Sequence, residues 1–230
     1  ETLLPITLNS LPKSIEAINI TMGYPLKDVP TTSLLFAVFQ LFLSQEKLQK
    51  KELNQFYYKD VIRVFKHQSI YGLVQNIDAF TEQIANNNQT FITYNDIKEL
   101  LNNDVEEVKN ALLNLFEPIT SINNFIAHIL ALINLLKERV TTLEKEYLFR
   151  FYTVFNQLQT LQNEFNYFTD LKTLSQFFKQ LISSENLSFQ GEPLKGLQLM
   201  GMLETRVLDF ENIILASTNE GILPASSQQN

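Results

Sequence analysis

The chain has no cysteine and no tryptophan, and it contains only six glycines and two histidines. Without cysteine it can form no disulfide and no thiolate nucleophile, which fits a reducing compartment. His67 and His128 are its two imidazoles, so a zinc site would need carboxylate ligands as well. The glycines form neither of the common phosphate-binding loops, and no Gly-x-Ser-x-Gly turn is present. The sequence therefore predicts no metal site, no bound cofactor and no self-sufficient active site.

Positive charge and long apolar runs are also scarce. The net charge of −7 argues against strong autonomous binding to nucleic acid, which needs a concentrated basic face. Small basic clusters exist, among them Arg63, Lys66 and His67, and a solvated helix face is the favoured interpretation of each. The most apolar stretch, Phe125 to Leu136, is too short to cross a bilayer, and the start of the chain has no signal-peptide pattern. These features predict a protein without a membrane partner.

The spacing of the apolar residues changes twice along the chain. Residues 17–22 alternate as a strand does and end at Gly23-Tyr24-Pro25, and a helix capped by Thr31 or Thr32 is expected after Pro30. From about residue 51 to 186 apolar residues recur every three or four positions, as in amphipathic helices. The abundant phenylalanines of this region are predicted to form its core. After Ser183 two short strands are expected, within 197–202 and 211–216, joined by the charged turn Glu204–Asp209.

This order predicts an α+β fold that is predominantly α. Residues 1–50 and 187–230 would form a partial RecA-like α/β layer of a few parallel strands, with the first strand and the last two in one sheet. Residues 51–186 would form a helical bundle inserted into that layer. The way the chain starts and ends suggests a fragment of a longer protein.

The charged turn is the one place where the residues suggest ligand binding. Arg206 could contact a phosphate and Asp209 could accept hydrogen bonds from a hydroxyl group. An ion pair between Arg206 and Asp209 that only stabilises the turn is an equally good interpretation.

Residues 197–224 resemble the fifth motif of UvrD/PcrA-type superfamily I helicases and their AddB-like relatives. The resemblance lies in Leu203-Glu204-Thr205-Arg206-Val207-Leu208-Asp209-Phe210 and in the ending Asn219-Glu220-Gly221-Ile222-Leu223-Pro224. Near the start, the run from Asn19 to Leu26 is similar to the fourth motif. The likeness is greatest to the inactivated superfamily I helicases of Bacteroidetes-type bacteria, which carry a PD-(D/E)XK nuclease.

The resemblance implies the second RecA-like domain of such a protein, located in the cytoplasm, with vestigial nucleotide- or DNA-binding positions. These positions are Tyr24, Glu204, Thr205, Arg206, Asp209 and Glu220. Pro25 stands where active relatives have a phosphate-binding arginine, and Val207 stands in place of a glycine. Motor activity is therefore not expected from this chain, and ATP and Mg²⁺ would serve only the parent protein.

Three functions remain open at this point. The first is a degenerate, non-motor scaffold of a DNA-repair and recombination helicase–nuclease, which guides DNA and positions a nuclease beside a partner subunit. The second is part of an active ATP-dependent DNA helicase or exonuclease. The third is a helical protein–protein interaction module, for which the first strand and the last two would not share a sheet.

Overall fold

The computed structural model describes most of the helical part of the chain and isolated stretches near both ends. The described residues are 6–7, 10–12, 15, 18–21, 24–140, 142–187, 196–201, 205, 208–216 and 218. The chain forms two compact units, of which the first is Gly23–Ser188. The second combines Thr2–Met22 with Phe189–Asn230.

The first unit is mainly helical. Its helices are α1 (Pro30–Lys47), α2 (Tyr58–Phe65), α3 (Gln68–Tyr71), α4 (Ile77–Asn86), α5 (Tyr94–Leu100), α6 (Glu106–Leu115), α7 (Ile122–Lys137), α8 (Thr142–Phe165) and α9 (Leu171–Ser184). Two antiparallel pairs of short strands accompany them, β2 (Tyr24–Pro25) with β5 (Asn186–Leu187) and β3 (Gln55–Tyr57) with β4 (Phe91–Thr93). The second unit contains β1 (Ile18–Ile20) and β6 (Leu197–Leu199). The predicted α+β class with mostly helix is confirmed at this level.

Local sequence signals explain where several helices begin. A capping box begins α5, because Thr93 accepts a hydrogen bond from the Asp96 N–H and Asp96 accepts one from the Thr93 N–H. Helix α1 follows Pro30 as predicted, but neither Thr31 nor Thr32 caps it. Its cap is Val29, because the rigid Pro30 itself takes the first helical position. Thr32 instead donates its hydroxyl to the Leu26 carbonyl at 2.6 Å.

Phenylalanine rings fill the core of the first unit, as the sequence predicts. Phe56 and Phe65 both contact Phe116, with ring centroids 5.3 and 5.2 Å apart. Phe39 lies 4.8 Å from Phe125, which extends the cluster from α1 to α7. Apolar contacts between residues far apart in sequence therefore join the early helix α1 to the later helices.

The second unit contains a parallel pair of strands. In this pair Ile18 lies beside Leu197, Asn19 beside Gln198 and Ile20 beside Leu199. The Thr21 N–H also donates to the Leu199 carbonyl at 3.0 Å. The first predicted strand and the first of the two closing strands therefore lie in one sheet.

The second closing strand, predicted within residues 211–216, is wrong. Residues 211–216 have no strand conformation, and Ile213, Ile214 and Leu215 are 74%, 95% and 59% exposed. An apolar run becomes a strand only where a neighbour accepts its hydrogen bonds and a layer covers its face. Among the described residues, none pairs with this segment as a strand.

Candidate functional site

The binding turn predicted from the sequence is only partly described. Glu204, Arg206 and Glu220 lie outside the described residues, and Tyr24 is described only by its backbone, which pairs with Leu187. Thr205 is exposed, and its carbonyl accepts a hydrogen bond from the Leu208 N–H at 3.2 Å. Asp209 is exposed as well. The ligand-binding role and the ion pair of this turn therefore both stay predictions.

A basic cleft in the helical unit offers a better-defined site. It has a volume of about 720 Å³ and is lined by residues from the start of α1, from α2 and from the link between α2 and α3. These residues are Pro30, Ser33, Lys59, Ile62, Arg63, Lys66, His67 and Gln68. None of these described lining residues is a carboxylate, whereas the whole chain has a net charge of −7. The basic cleft is thus a local concentration of positive charge on an acidic protein.

The sequence of α2 explains how its cations come to line the cleft. Val61, Val64 and Phe65 are fully buried and fix one side of the helix against the core. Lys59 and Arg63 stand four residues apart, and Lys66 follows three residues later, so a helical path places all three on the opposite side. The cleft is therefore a direct consequence of the amphipathic pattern of α2.

Two carboxylates fix the positions of two of these cations. The Arg63 guanidinium donates to the carboxylate of Asp60 at 3.1 Å, and Asp60 is only 4% exposed. The Lys66 ammonium lies 2.9 Å from the Asp78 carboxylate. Asp60 lies on the buried side of α2 and Asp78 on α4, and neither lines the cleft. Both cations are therefore held in place and remain at the cleft surface.

His67 joins the wall of the cleft to the helices on either side. Its Nδ1 accepts a hydrogen bond from the Ser69 N–H at 3.2 Å and so caps α3 at its N-terminus. The other nitrogen, Nε2, lies 2.7 Å from Ser33 Oγ, which donates to the Pro30 carbonyl at 2.8 Å. This pattern assigns the proton of the neutral ring to Nε2. His67 is therefore the N-cap of α3.

His128 lies in the core and is 7% exposed. Its Nε2 lies 3.0 Å from Asn124 Nδ2, and its Nδ1 has no hydrogen-bond partner among the described residues. Burial lowers the pKa of His128 from 6.5, and the nearby charge of Glu117 opposes that shift. Burial likewise lowers the pKa of His67, opposed by the Pro30 carbonyl. Both rings are thus held neutral near pH 7.

These two histidines predict how stability depends on pH. In the unfolded chain each binds a proton below its ordinary pKa of 6.5, whereas in the folded chain it does so only at lower pH. The free energy of unfolding should therefore fall as the pH drops below about 6.5 and stay level above it. Urea titrations at several pH values measure this dependence.

The matched variant for this test combines His67→Asn, which keeps a capping acceptor, with His128→Gln. We expect a shallower loss of stability between about pH 6.5 and 5.5 than in the parent chain. Asp78, Glu107 and Asp170 are exposed carboxylates whose pKa values are lowered by hydrogen bonds from Tyr71, Arg139 and the Thr173 N–H, so they stay ionised in this window. An unchanged slope in the double variant contradicts the assignment to the two rings.

A second, smaller cavity of about 180 Å³ lies where α7 and α9 begin. The Ser121 hydroxyl accepts from the Asn124 N–H at 3.1 Å, and the Asp170 carboxylate accepts from the Thr173 N–H at 2.7 Å. These caps satisfy helix N–H groups that would otherwise face the cavity. The cavity is therefore a weaker candidate for anion binding than the basic cleft.

In the described part of the chain there is no group of three or more His, Asp or Glu residues that could hold a metal ion.

Part of the basic cleft can be found in the sequence. Arg63, Lys66 and His67 stand out as a cluster in the sequence, and Lys59 precedes Arg63 by one helical turn. Ser33 and Pro30 come from another helix about thirty residues earlier, and only the packing of α1 against α2 brings them close. The one available signal was the spacing of the three cations along α2.

Comparisons with known proteins give no match: no family model matches the sequence, and neither a curated protein nor a solved structure is similar to it. Among the described helices, none has both the length and the apolar character needed to cross a membrane.

Proposed function

We propose that the chain is part of a non-motor, helicase-like scaffold that holds DNA in a repair or recombination nuclease. The observation that carries this proposal is the parallel pairing of β1 with β6, whose residues lie 179 positions apart in sequence. Parallel neighbours need a crossover connection, and here that connection contains the whole helical unit. A helical domain inserted between two parallel strands is the arrangement expected for an interrupted α/β layer.

The same pairing weighs against the interaction-module alternative, which requires the first and closing strands to lie apart. Asn19 Nδ2 donates to Gln198 Oε1 at 2.7 Å, so side chains as well as backbones join the two strands. The resemblance of residues 197–224 to a helicase motif then supplies the ligand class, DNA.

The sequence supports a scaffold better than a motor. Pro25 offers no side-chain donor for a phosphate, and it pairs with Asn186 in β5. We therefore propose that DNA is held without nucleotide-dependent closure, and that a partner subunit supplies the motor.

The test compares DNA ends with DNA that has none. Fluorescence anisotropy of the chain with a blunt duplex, and with a covalently closed dumbbell of the same length, measures the preference for ends. We expect tighter binding to the open duplex, weakening as salt rises, and no change on adding ATP and Mg²⁺. Equal affinity for both DNAs contradicts the end-guiding role, and ATP-dependent tightening favours the active helicase instead.

A further inference from the structure

We propose that the basic cleft binds the phosphodiester backbone of a nucleic acid strand, so that it is a DNA contact in the helical unit and outside the predicted turn at Glu204–Asp209. This inference rests on the proposed function for the class of ligand, and on the geometry of α1, α2 and the α2–α3 link for the location. The sequence alone favoured a solvated helix face for the same residues.

The spacing of the cations fits several phosphates in a row. Lys59 and Lys66 are separated by seven residues, or about 10.5 Å along a helix axis, with Arg63 between them. Phosphates of one DNA strand follow each other at about 3.4 Å along its axis, so this length corresponds to about three of them. Small anions need only one such charge, whereas a row of three suits a linear polyanion.

The remaining lining groups fit the same ligand. Ile62 adds an apolar side chain to the lining, and Ser33 and Gln68 add neutral polar groups. Helix α1, eighteen residues long, begins at Pro30 on the cleft wall, and its N-terminus adds a partial positive charge. No carboxylate is among the lining residues, and the two that pair with Arg63 and Lys66 lie outside the lining.

The ion pairs decide which cations can be tested. Removing the Arg63 guanidinium would leave the buried Asp60 carboxylate without its partner and would damage the fold. The carboxylate partner of Lys66, Asp78, is in contrast 59% exposed at its side chain, and the loss of that pair is tolerable. Lys59 lies over the ring of the adjacent Tyr58. The informative variant is therefore Lys59→Gln with Lys66→Gln, in which Arg63 is kept.

A matched control removes two positive charges elsewhere. Lys98 in α5 and Lys179 in α9 are exposed, and neither lines the cleft. Lys98→Gln with Lys179→Gln therefore has the same net charge as the cleft variant. Circular dichroism and urea titration of both double variants establish that each one folds.

The probe is a fluorescein-labelled DNA of about 20 nucleotides, single-stranded or duplex, titrated between about 50 and 200 mM salt. Three neutralised phosphates predict about 40-fold weaker duplex binding by the unmodified chain over this range. The cleft variant should bind about 10-fold more weakly at the lower salt, and its log–log salt slope should be less steep by about 1.4 to 1.8. The control variant should keep the slope of the unmodified chain.

Three results overturn the inference. If the cleft and control variants lose equal DNA affinity, the overall charge rather than the cleft determines binding. If the cleft variant keeps the DNA affinity of the unmodified chain, DNA binds elsewhere, which the proposed function still allows. The third result comes from a titration of the chain with tripolyphosphate, in which NMR follows the backbone amide signals of residues 59–67. If tripolyphosphate shifts these signals while DNA does not bind, the ligand of the cleft is a free polyphosphate rather than a nucleic acid. If the chain prefers DNA ends but the cleft variant binds DNA as the unmodified chain does, the proposed function is supported and only the cleft inference is overturned.

Discussion

Replacing Phe178 with alanine is expected to lower the free energy of unfolding of the helical unit by about 3–5 kcal/mol. Phe178 in α9 is fully buried, and its ring centroid lies 5.6 Å from that of Phe39 in α1 and 5.0 Å from that of Phe155 in α8. Phe36 and Phe151 contact it as well. One ring therefore joins three helices, and its removal leaves a cavity that none of them can fill alone.

Urea unfolding followed by far-ultraviolet circular dichroism measures this loss as a lower midpoint at an unchanged slope. The matched control is Phe149→Ala in α8, because Phe149 is the same residue type in a helix but is 56% exposed. We expect the control to change the free energy of unfolding by less than about 0.5 kcal/mol. If the two variants lose similar stability, the three-helix junction at Phe178 is not the centre of the core.

The aromatic core was predictable because the burial of one face of a helix follows from the local spacing of its apolar residues. In α7 the apolar residues Ile126, Ile129 and Ile133 recur at spacings of three and four, and the structure buries each of them. The capping box at Thr93 was predictable for the same reason, since all its groups lie within four residues. Signals of this kind need no knowledge of the rest of the fold.

The basic cleft and the closing strand depend on distant residues, so the sequence alone showed neither the cleft nor the missing partner of that strand. The positive charges of Lys59 and Arg63 are evident in the sequence, but the cleft exists only because Pro30 and Ser33 complete its lining. The apolar run at 211–216 has strand propensity, yet no described strand pairs with it. Likewise, the cap of α3 by His67 uses a nitrogen that no cap rule based on Ser, Thr, Asp or Asn would find.

Replacing Gln162 with alanine is expected to cost about 1–3 kcal/mol, because it leaves a buried backbone donor without a partner. Gln162 lies near the end of α8 and is 9% exposed. Its Oε1 accepts from the Phe168 N–H at 2.8 Å, and its Nε2 donates to Asn166 Oδ1, also at 2.8 Å. Asn166 has a φ of 47°, a left-handed conformation that the side-chain contact helps to hold.

This amide therefore fixes the turn that directs the chain from α8 into α9. Phe168, the residue it holds, is 2% exposed and packs against Phe177 of α9 with ring centroids 5.5 Å apart. The control is Gln157→Ala, an exposed glutamine on the same helix, where alanine should be neutral or slightly stabilising. Hydrogen exchange of the Phe168 amide locates the effect, since we expect protection to be lost there first in Gln162→Ala. Preserved protection at Phe168 would mean that the packing of its ring, rather than the Gln162 amide, determines the turn.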